Sequence, residues 1–352
     1  MRIEDLDKNF TLNDAIRRDD IEWHDVREGV FSLHGLCVPP EGEEAFHRVP
    51  TEVAEATSPS VATLNYHTAG IRARFYTDSP FLALLCELRD GVMLMSHMPL
   101  SGSQGFDLYR DTATRPRFCR AFFPPADTKS TGFSSYAELP AGGGTYTLNF
   151  PLYGTVKRVH IGIKEGSRLS PATPYAHTRP VVFYGSSITQ GGCASRPGNT
   201  YEEHLSRRFG FDYINLGFSG SARGERAIVK YMASLDMSVF VCDYDHNAPD
   251  LAHLQETLAP LYEAVRTAHP TVPFIFASAP GLHTGEARRA HIREVYERAR
   301  AHGDTNVYFV DGAHMFDGDG SDTCTLEGCH PNDLGFFRMY EAFAEVFEQL
   351  TL

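Results

Sequence analysis

The sequence predicts a two-domain α/β chain: an antiparallel β sandwich of jelly-roll type, then a three-layer domain whose parallel sheet lies between helices. Three observations carry this expectation. Before about residue 175 the apolar residues alternate with period two, and after about 178 short runs that are apolar on both faces alternate with helical stretches. A length of 352 residues, at ~100 to 200 per domain, supplies two cores. The boundaries read as 1–175 for the β domain and 178–352 for the second.

In the first half Ile71, Ala73 and Phe75 alternate with Arg72, Arg74 and Tyr76, and Tyr146, Leu148 and Phe150 alternate with Thr145, Thr147 and Asn149. Val159, Ile161 and Ile163 continue the pattern, so these are strands with one buried face. Turn-rich stretches such as Pro39-Pro40-Glu41-Gly42 and Ala141-Gly142-Gly143-Gly144 separate them, with no long helical pattern between, as in a sandwich. Ser167 to Pro180, with its prolines, reads as a linker.

Beyond it the apolar runs are Val181 to Tyr184, Tyr213 to Leu216, Val239 to Cys242, Phe274 to Ala277 and Val307 to Val310. Runs apolar on both faces are what a helix-covered parallel sheet demands. Thr200 with Glu203 three residues on predicts a capping box at the start of a helix. Phe336, Tyr340, Phe343, Phe347 and Leu350 form one apolar stripe on the last helix, which is core.

Composition narrows the function. With 32 Lys and Arg against 45 Asp and Glu, the formal net charge of -13 disfavours nucleic acid and anionic lipid as partners. No apolar run approaches the ~20 residues of a membrane helix, and Met1 to Phe10 carries acids where a signal peptide has basic and apolar residues. The expectation is a soluble cytoplasmic protein without membrane or nucleic-acid partners; assembly into a homo-oligomer stays open. Seven scattered cysteines, an odd number, read as reduced thiols. Cys324, Cys329 and His330 crowd together as zinc ligands do, but no second ligand pair stands at structural-site spacing, so no metal is expected.

In such a sheet ligands bind beyond the carboxyl ends of the strands. The first run is followed by Gly185-Ser186-Ser187-Ile188-Thr189-Gln190-Gly191, the second by Gly217-Phe218-Ser219-Gly220 and the third by Asp243-Tyr244-Asp245-His246-Asn247. Well after the fifth comes Glu327-Gly328-Cys329-His330-Pro331. A hydroxyl, backbone amides, a carboxamide and an imidazole with an acid are the components of acyl transfer by a serine nucleophile. Other motifs fail on spacing. No Gly-Lys-Ser/Thr follows Gly185, Thr189 stands where a nucleophile elbow needs glycine, and Ala248 and Leu254 replace the Gly and Glu of a calcium loop.

Gly185-Ser186-Ser187-Ile188-Thr189 resembles the first block of the SGNH, or GDSL-type, hydrolases, with Ser187 in the nucleophile's place. Asn215-Leu216-Gly217-Phe218-Ser219-Gly220 resembles the second, whose oxyanion glycine falls at Gly220; Asn247 matches the third-block asparagine and His330 the last-block histidine. Gly105-Phe106-Asp107-Leu108-Tyr109 is similar to the motif naming the GxDLY β domain that precedes some bacterial SGNH esterases. The resemblance implies a flavodoxin-like α/β/α catalytic domain with Ser187, His330, Gly220 and Asn247 in the site. The family's usual aspartate three residues before the histidine is Glu327 here; a glutamate needs a shifted backbone or rotamer to reach, and Asp322 is the alternative acid.

Plainer roles exist for each residue. Ser187 could only cap a helix, Gly217 and Gly220 could be turn glycines with positive φ, and Asn247 could bond its own loop. Asp243, Asp245 and His246 read as a packed polar loop holding Asn247, Gly105 to Tyr109 as a turn and strand, and Trp23 as core. Arg196 and Arg223 fit a polar substrate group or open solvent equally. The family analogy implies a serine esterase of a short acyl ester, acetyl among the candidates, of a carbohydrate or other small alcohol, with no cofactor. An acyltransferase using the same acyl-enzyme, or an inactive carbohydrate-binding protein, are the alternatives.

Overall fold

The structure, a computed structural model, describes residues 16, 18–36, 44–127, 129–281 and 285–352. Cys37 and the turn signal Pro39 to Gly42 lie outside the described residues. Contacts divide the chain into two compact units, neither of them one unbroken stretch. The first is Met1–Arg48, Tyr66–Pro174 and Ser195–Gly198; the second is Val49–Asn65, Tyr175–Ala194 and Asn199–Leu352.

The first unit is an antiparallel sandwich. Its strands are β1 (Ile21–Asp25), β2 (Ser32–His34), β3 (Arg72–Thr77), β4 (Phe81–Leu88), β5 (Phe106–Arg110), β6 (Arg117–Phe122), β7 (Gly132–Glu138), β8 (Gly144–Asn149), β9 (Val156–Lys164) and β10 (Leu169–Pro171). One sheet runs β1-β9-β4-β7 and the other β10-β3-β8-β5-β6, with β2 also on β3. Leu82, Leu84 and Ile161 from one sheet meet Ala73, Phe75 and Leu148 from the other in a single core. The stretch expected to be a linker is largely structured: β10 pairs with β3, and the next strand begins at His177.

The expectation of one buried face fails on β3. Arg72 and Arg74 are buried along with the apolar residues between them. Arg74 is held there by an ion pair to Asp111 at 2.8 Å and a hydrogen bond to Thr147 at 3.2 Å, so the second face of the strand is polar but covered. Trp23 is half-buried against a small cluster with Ala83 and Leu85 on the outer face of its sheet.

The motif Gly105 to Tyr109 does more than form a strand. Asp107, on β5, is fully buried and accepts from Asn149 Nδ2 at 2.8 Å, the Gly198 amide at 2.9 Å and Arg196 at 3.2 Å. Arg196 also donates to the Tyr109 hydroxyl and stacks over Phe118 at 4.1 Å. A Cβ on Gly198 would lie 2.4 Å from the Tyr109 ring. Thus the motif's Asp and Tyr clamp Ser195–Gly198, and Arg196 is committed to that clamp rather than open to solvent or a ligand.

The second unit carries β11 (His177–Gly185), β12 (Phe211–Gly217), β13 (Val239–Asp243), β14 (Phe274–Ala277) and β15 (Val307–Val310), all parallel in the order β12-β11-β13-β14-β15. These contain the five apolar runs. In chain order the helices are α1 (Thr51–Thr57), α2 (Pro59–Leu64), α3 (Leu100–Ser103, in the first unit), α4 (Ser187–Gln190), α5 (Tyr201–Phe209), α6 (Arg226–Ser234), α7 (Leu251–Ala268), α8 (Glu286–Ala301) and α9 (Asp333–Phe347). The predicted stripe on α9 is buried through Phe347, with Leu350 beyond the helix end.

The capping box does not form. Thr200 is the N-cap of α5, but Glu203 turns to Arg207 at 3.0 Å and the Tyr213 hydroxyl at 2.8 Å, stronger partners than a backbone amide. Among the described residues no helix is long and apolar enough to cross a membrane.

Helices α1 and α2 belong to the second unit although they precede most of the sandwich. Val49, Ala54 and Val61 share one buried cluster with Ile228 and Met232 of α6 and with Val182 and Phe240 of the sheet. Asn65 closes the insertion by exchanging two hydrogen bonds with the Val49 backbone, at 2.9 and 3.0 Å. Burying a valine contributes ~1.5 to 3 kcal/mol, so the insertion contributes several kcal/mol to a fold whose total stability is on the order of 5 to 15. A chain of residues 178–352 alone is therefore expected to be insoluble or to melt far below the full protein. A soluble 178–352 fragment with a native-like cooperative melt would contradict this.

Candidate active site

Three adjacent strands end level. Gly185 on β11 pairs in register with Gly217 on β12 and with Asp243 on β13. The polypeptide therefore leaves all three strands from one row, and the backbone ties the exits together: Ser186 N donates to Asp243 O at 3.2 Å and Phe218 N to Gly185 O at 3.0 Å.

Ser187 begins α4. The capping role considered for it falls to its neighbour Ser186, whose Oγ accepts from Ile188 N at 3.1 Å. Ser187 Oγ faces the last loop and lies 2.9 Å from His330 Nε2. The other ring nitrogen, Nδ1, is hydrogen-bonded to Glu327 Oε1. Burial alone would raise the Glu327 carboxyl, but hydrogen bonds from the His330 ring and amide hold it below the usual glutamate range. The carboxylate is thus ionised at neutral pH beside an imidazole whose other nitrogen faces a hydroxyl.

The extra methylene of Glu327 is accommodated by a tight loop. Thr325 and Pro331 form an isolated antiparallel bridge, Leu326 N donates to His330 O at 3.0 Å, and Gly328 turns the chain at φ +89°. Both Glu327 oxygens then also accept from His330 N, at 3.3 and 3.2 Å. Just past His330, Asn332 caps α9, accepting from Leu334 N and Gly335 N and donating to Thr323 O at 2.5 Å. Asp322 stands on a separate exposed turn, lining with Gly328 and Phe316 a cleft of about 410 Å³.

Gly220 and Asn247 lie on the loops after β12 and β13. Gly220 adopts φ +67° and is exposed, and among the described residues its amide has no acceptor. Asn247 Nδ2 donates to Phe218 O at 2.8 Å. A carboxamide carries two N–H bonds, so one fixes the rotamer and the other remains to donate. Arg223 is exposed and donates to Gly220 O at 3.1 Å. Asp245 is buried, accepting from Ala279 N at 3.1 Å and, through its carbonyl, from Arg288. Burial, only partly offset by Asp245, depresses the neighbouring His246, which also feels His330.

The positive φ expected of Gly217 is absent; its reason is close approach. A Cβ there would meet Gln190 N at 2.2 Å and the Thr189 carbonyl carbon at 2.6 Å. On Gly185 it would meet Thr189 Oγ1 at 2.0 Å and Asp243 O at 2.4 Å. The helix carrying Ser187 rests directly on the strand ends. Residues that sequence reasoning left without a role hold it there. Asn215 Nδ2 donates to Thr189 O at 2.5 Å while its Oδ1 accepts from Gly217 N at 2.9 Å, and Gln190 Oε1 accepts from Ser219 N at 2.9 Å. Glu202, beneath them, is fully buried, and burial pushes its carboxyl and that of Asp243 well above the carboxylate range.

With this geometry in view, the comparisons agree. Residues 178–348 match the GDSL-like lipase/acylhydrolase family model, and residues 21–169 match the GxDLY model, the N-terminus of SGNH-hydrolase-type esterases. The chain belongs to the SGNH, GDSL-type, hydrolases with an N-terminal GxDLY domain. No curated protein sequence matches it closely. It is similar to a crystal structure described as a GDSL-like lipase from Bacteroides ovatus, at 27% identity and TM-score 0.83, covering 94% of this chain and 97% of that one. A salicylyl-acyltransferase from a tetracycline biosynthetic pathway shares 21% identity at TM-score 0.76, covering 95% of this chain and 98% of that one. An acetyl xylan esterase from the rumen bacterium Butyrivibrio proteoclasticus shares 11% identity at TM-score 0.58, covering 94% of this chain and 98% of that one. At those identities the last two share the fold.

The two glycines of the second block should respond differently to substitution. Gly217→Ala drives a methyl into the α4 backbone and is expected to lower kcat/KM on an activated ester by about 10²-fold, the effect of displacing a reacting group by an ångström. Gly220→Ala meets open space and keeps its amide, costing roughly 1 to 2 kcal/mol of backbone strain and little rate. Equal rates for Gly217→Ala and the parent would contradict the close-packing role.

Proposed function

We propose that this protein is a serine esterase that hydrolyses a short-chain acyl ester through an acyl-enzyme on Ser187. The observation that carries the reading is the continuous relay Ser187 Oγ, His330, Glu327, with 2.9 Å from hydroxyl to imidazole and the far ring nitrogen bonded to the carboxylate. As Ser187 Oγ attacks the ester carbonyl, its proton passes to His330 Nε2. Glu327 keeps the proton on Nδ1, so Nε2 is the basic nitrogen, and balances the imidazolium that forms. The amides of Ser187 and Gly220 and the second N–H of Asn247 donate to the oxyanion, each donor worth on the order of 3 kcal/mol in the transition state. Collapse returns the proton from His330 to the leaving alcohol, and water, deprotonated by the same nitrogen, releases the acid.

Carboxylic esters of carbohydrates or other small alcohols are the proposed substrates, with acetyl as the first acyl group to test. This rests on family analogy, the acetyl xylan esterase among the structural relatives being one instance.

Hydrolysis of p-nitrophenyl acetate tests the reading. The parent should turn over and Ser187→Ala should lose the activity. Glu327→Gln should fold normally and lose orders of magnitude in kcat, up to the ~10⁴ that the corresponding Asp-to-Asn change costs a serine protease, whereas Asp322→Asn should change little. Activity surviving in Ser187→Ala would remove the acyl-enzyme, and a mild Glu327→Gln beside a crippled Asp322→Asn would move the acid to Asp322.

A further inference from the structure

The loop that supplies the acid and the base also carries a thiol. Glu327, Cys329 and His330 each present one ligand atom, a carboxylate oxygen, Sγ and a ring nitrogen, and the three lie within 4.8 Å of one another. Cys324, the other cysteine of the loop, is turned away: it is buried, and its Sγ donates to Gly320 O at 3.4 Å. The cluster is thus built on Glu327 in place of the second cysteine that the spacing suggests.

We propose that Glu327, Cys329 and His330 form an inhibitory site for a soft divalent cation, zinc or cadmium. The inference rests on the reading of His330 as the base. Thiolate, imidazole and carboxylate are the donor types zinc takes, and the sulfur disfavours magnesium and calcium. Bonds of ~2.0 to 2.3 Å imply a tetrahedral edge of roughly 3.3 to 3.8 Å, so a ligand pair at the 4.8 Å limit closes by roughly 1 to 1.5 Å. Gly328, which has open space around it, can supply that adjustment between Glu327 and Cys329. Three protein ligands leave a fourth position for water.

The consequence does not depend on which ring nitrogen is taken. A cation on Nε2 replaces the contact with Ser187. A cation on Nδ1 requires the neutral ring's single proton to move from Nδ1 to Nε2, which makes that nitrogen a donor. Either way the imidazole no longer accepts the serine proton. The Cys329 thiol proton passes to solvent as the S–metal bond forms, and chelation of the cation reverses the step.

Two readouts on the full-length protein test this. Cadmium titrated into metal-free protein should raise an ultraviolet thiolate-to-cadmium band at one equivalent, and zinc should inhibit p-nitrophenyl acetate hydrolysis reversibly, with recovery on adding EDTA. Cys329→Ser and Cys329→Ala should keep the parent rate within about twofold. Both should lose the band and need at least about tenfold more zinc for half inhibition, the loss that removing even an outer partner of a metal ligand brings. A band and an inhibition midpoint unchanged in both variants would overturn the proposal, as would zinc without effect on an active parent. An inactive parent that still shows the Cys329-dependent band would support the metal site while faulting the esterase reading, so the two fail separately.

Discussion

Everything in the candidate site depends on how closely the helix bearing Ser187 sits on the ends of three parallel strands. Gly185, Gly217 and Asp243 share one row of the sheet, and two of those three positions have no room for a Cβ. Because only Ser186 separates the end of β11 from α4, the direction of Ser187 is set by strand geometry rather than by a flexible loop. Asn215 and Gln190 fasten the same contact from below and beside, and buried Glu202 supports Asn215 at 3.4 Å. The arrangement is stiff where the chemistry needs a fixed hydroxyl, and its polar fasteners are buried and hydrogen-bonded.

The histidine is presented differently. It comes from a long connection after β15, where regular structure gives little support, and the loop compensates with its own short-range bonds. The Thr325–Pro331 bridge, the Asn332 cap and the three hydrogen bonds from His330 to Glu327 make a small rigid body at the start of α9. In that frame the Glu327 carboxylate reaches both the ring and the amide of His330. The same compactness brings Cys329 close to both members of the pair.

Much of this was legible in the sequence because it rests on local pattern. The five strands of the second unit are apolar on both faces, so their runs mark them within a residue or two at most ends. Ser187, Gly220 and Asn247 follow strand exits, and Glu327 lies three residues before His330 at an X-Pro step, positions that sequence spacing marks. What was not legible depends on long-range partners. Nothing in the sequence tells Gln190 that it faces Ser219, or Glu203 that Arg207 and Tyr213 lie closer than its own helix start. Buried Arg72 and Arg74 break the alternation because their cover comes from distant chain, and Arg196 finds Asp107 from 89 residues away. Helices α1 and α2 are too short to declare which sheet they serve.

Ser187 is the proposed nucleophile of this fold. The most direct measurement is covalent: incubate the full-length protein with a fluorophosphonate, measure the mass gain of the intact chain, and map the adduct by peptide sequencing. One phosphonyl group per chain is expected, on Ser187, formed at a rate that falls sharply in His330→Ala. A stoichiometric adduct on any other serine, or none on a folded protein that hydrolyses esters, would contradict it.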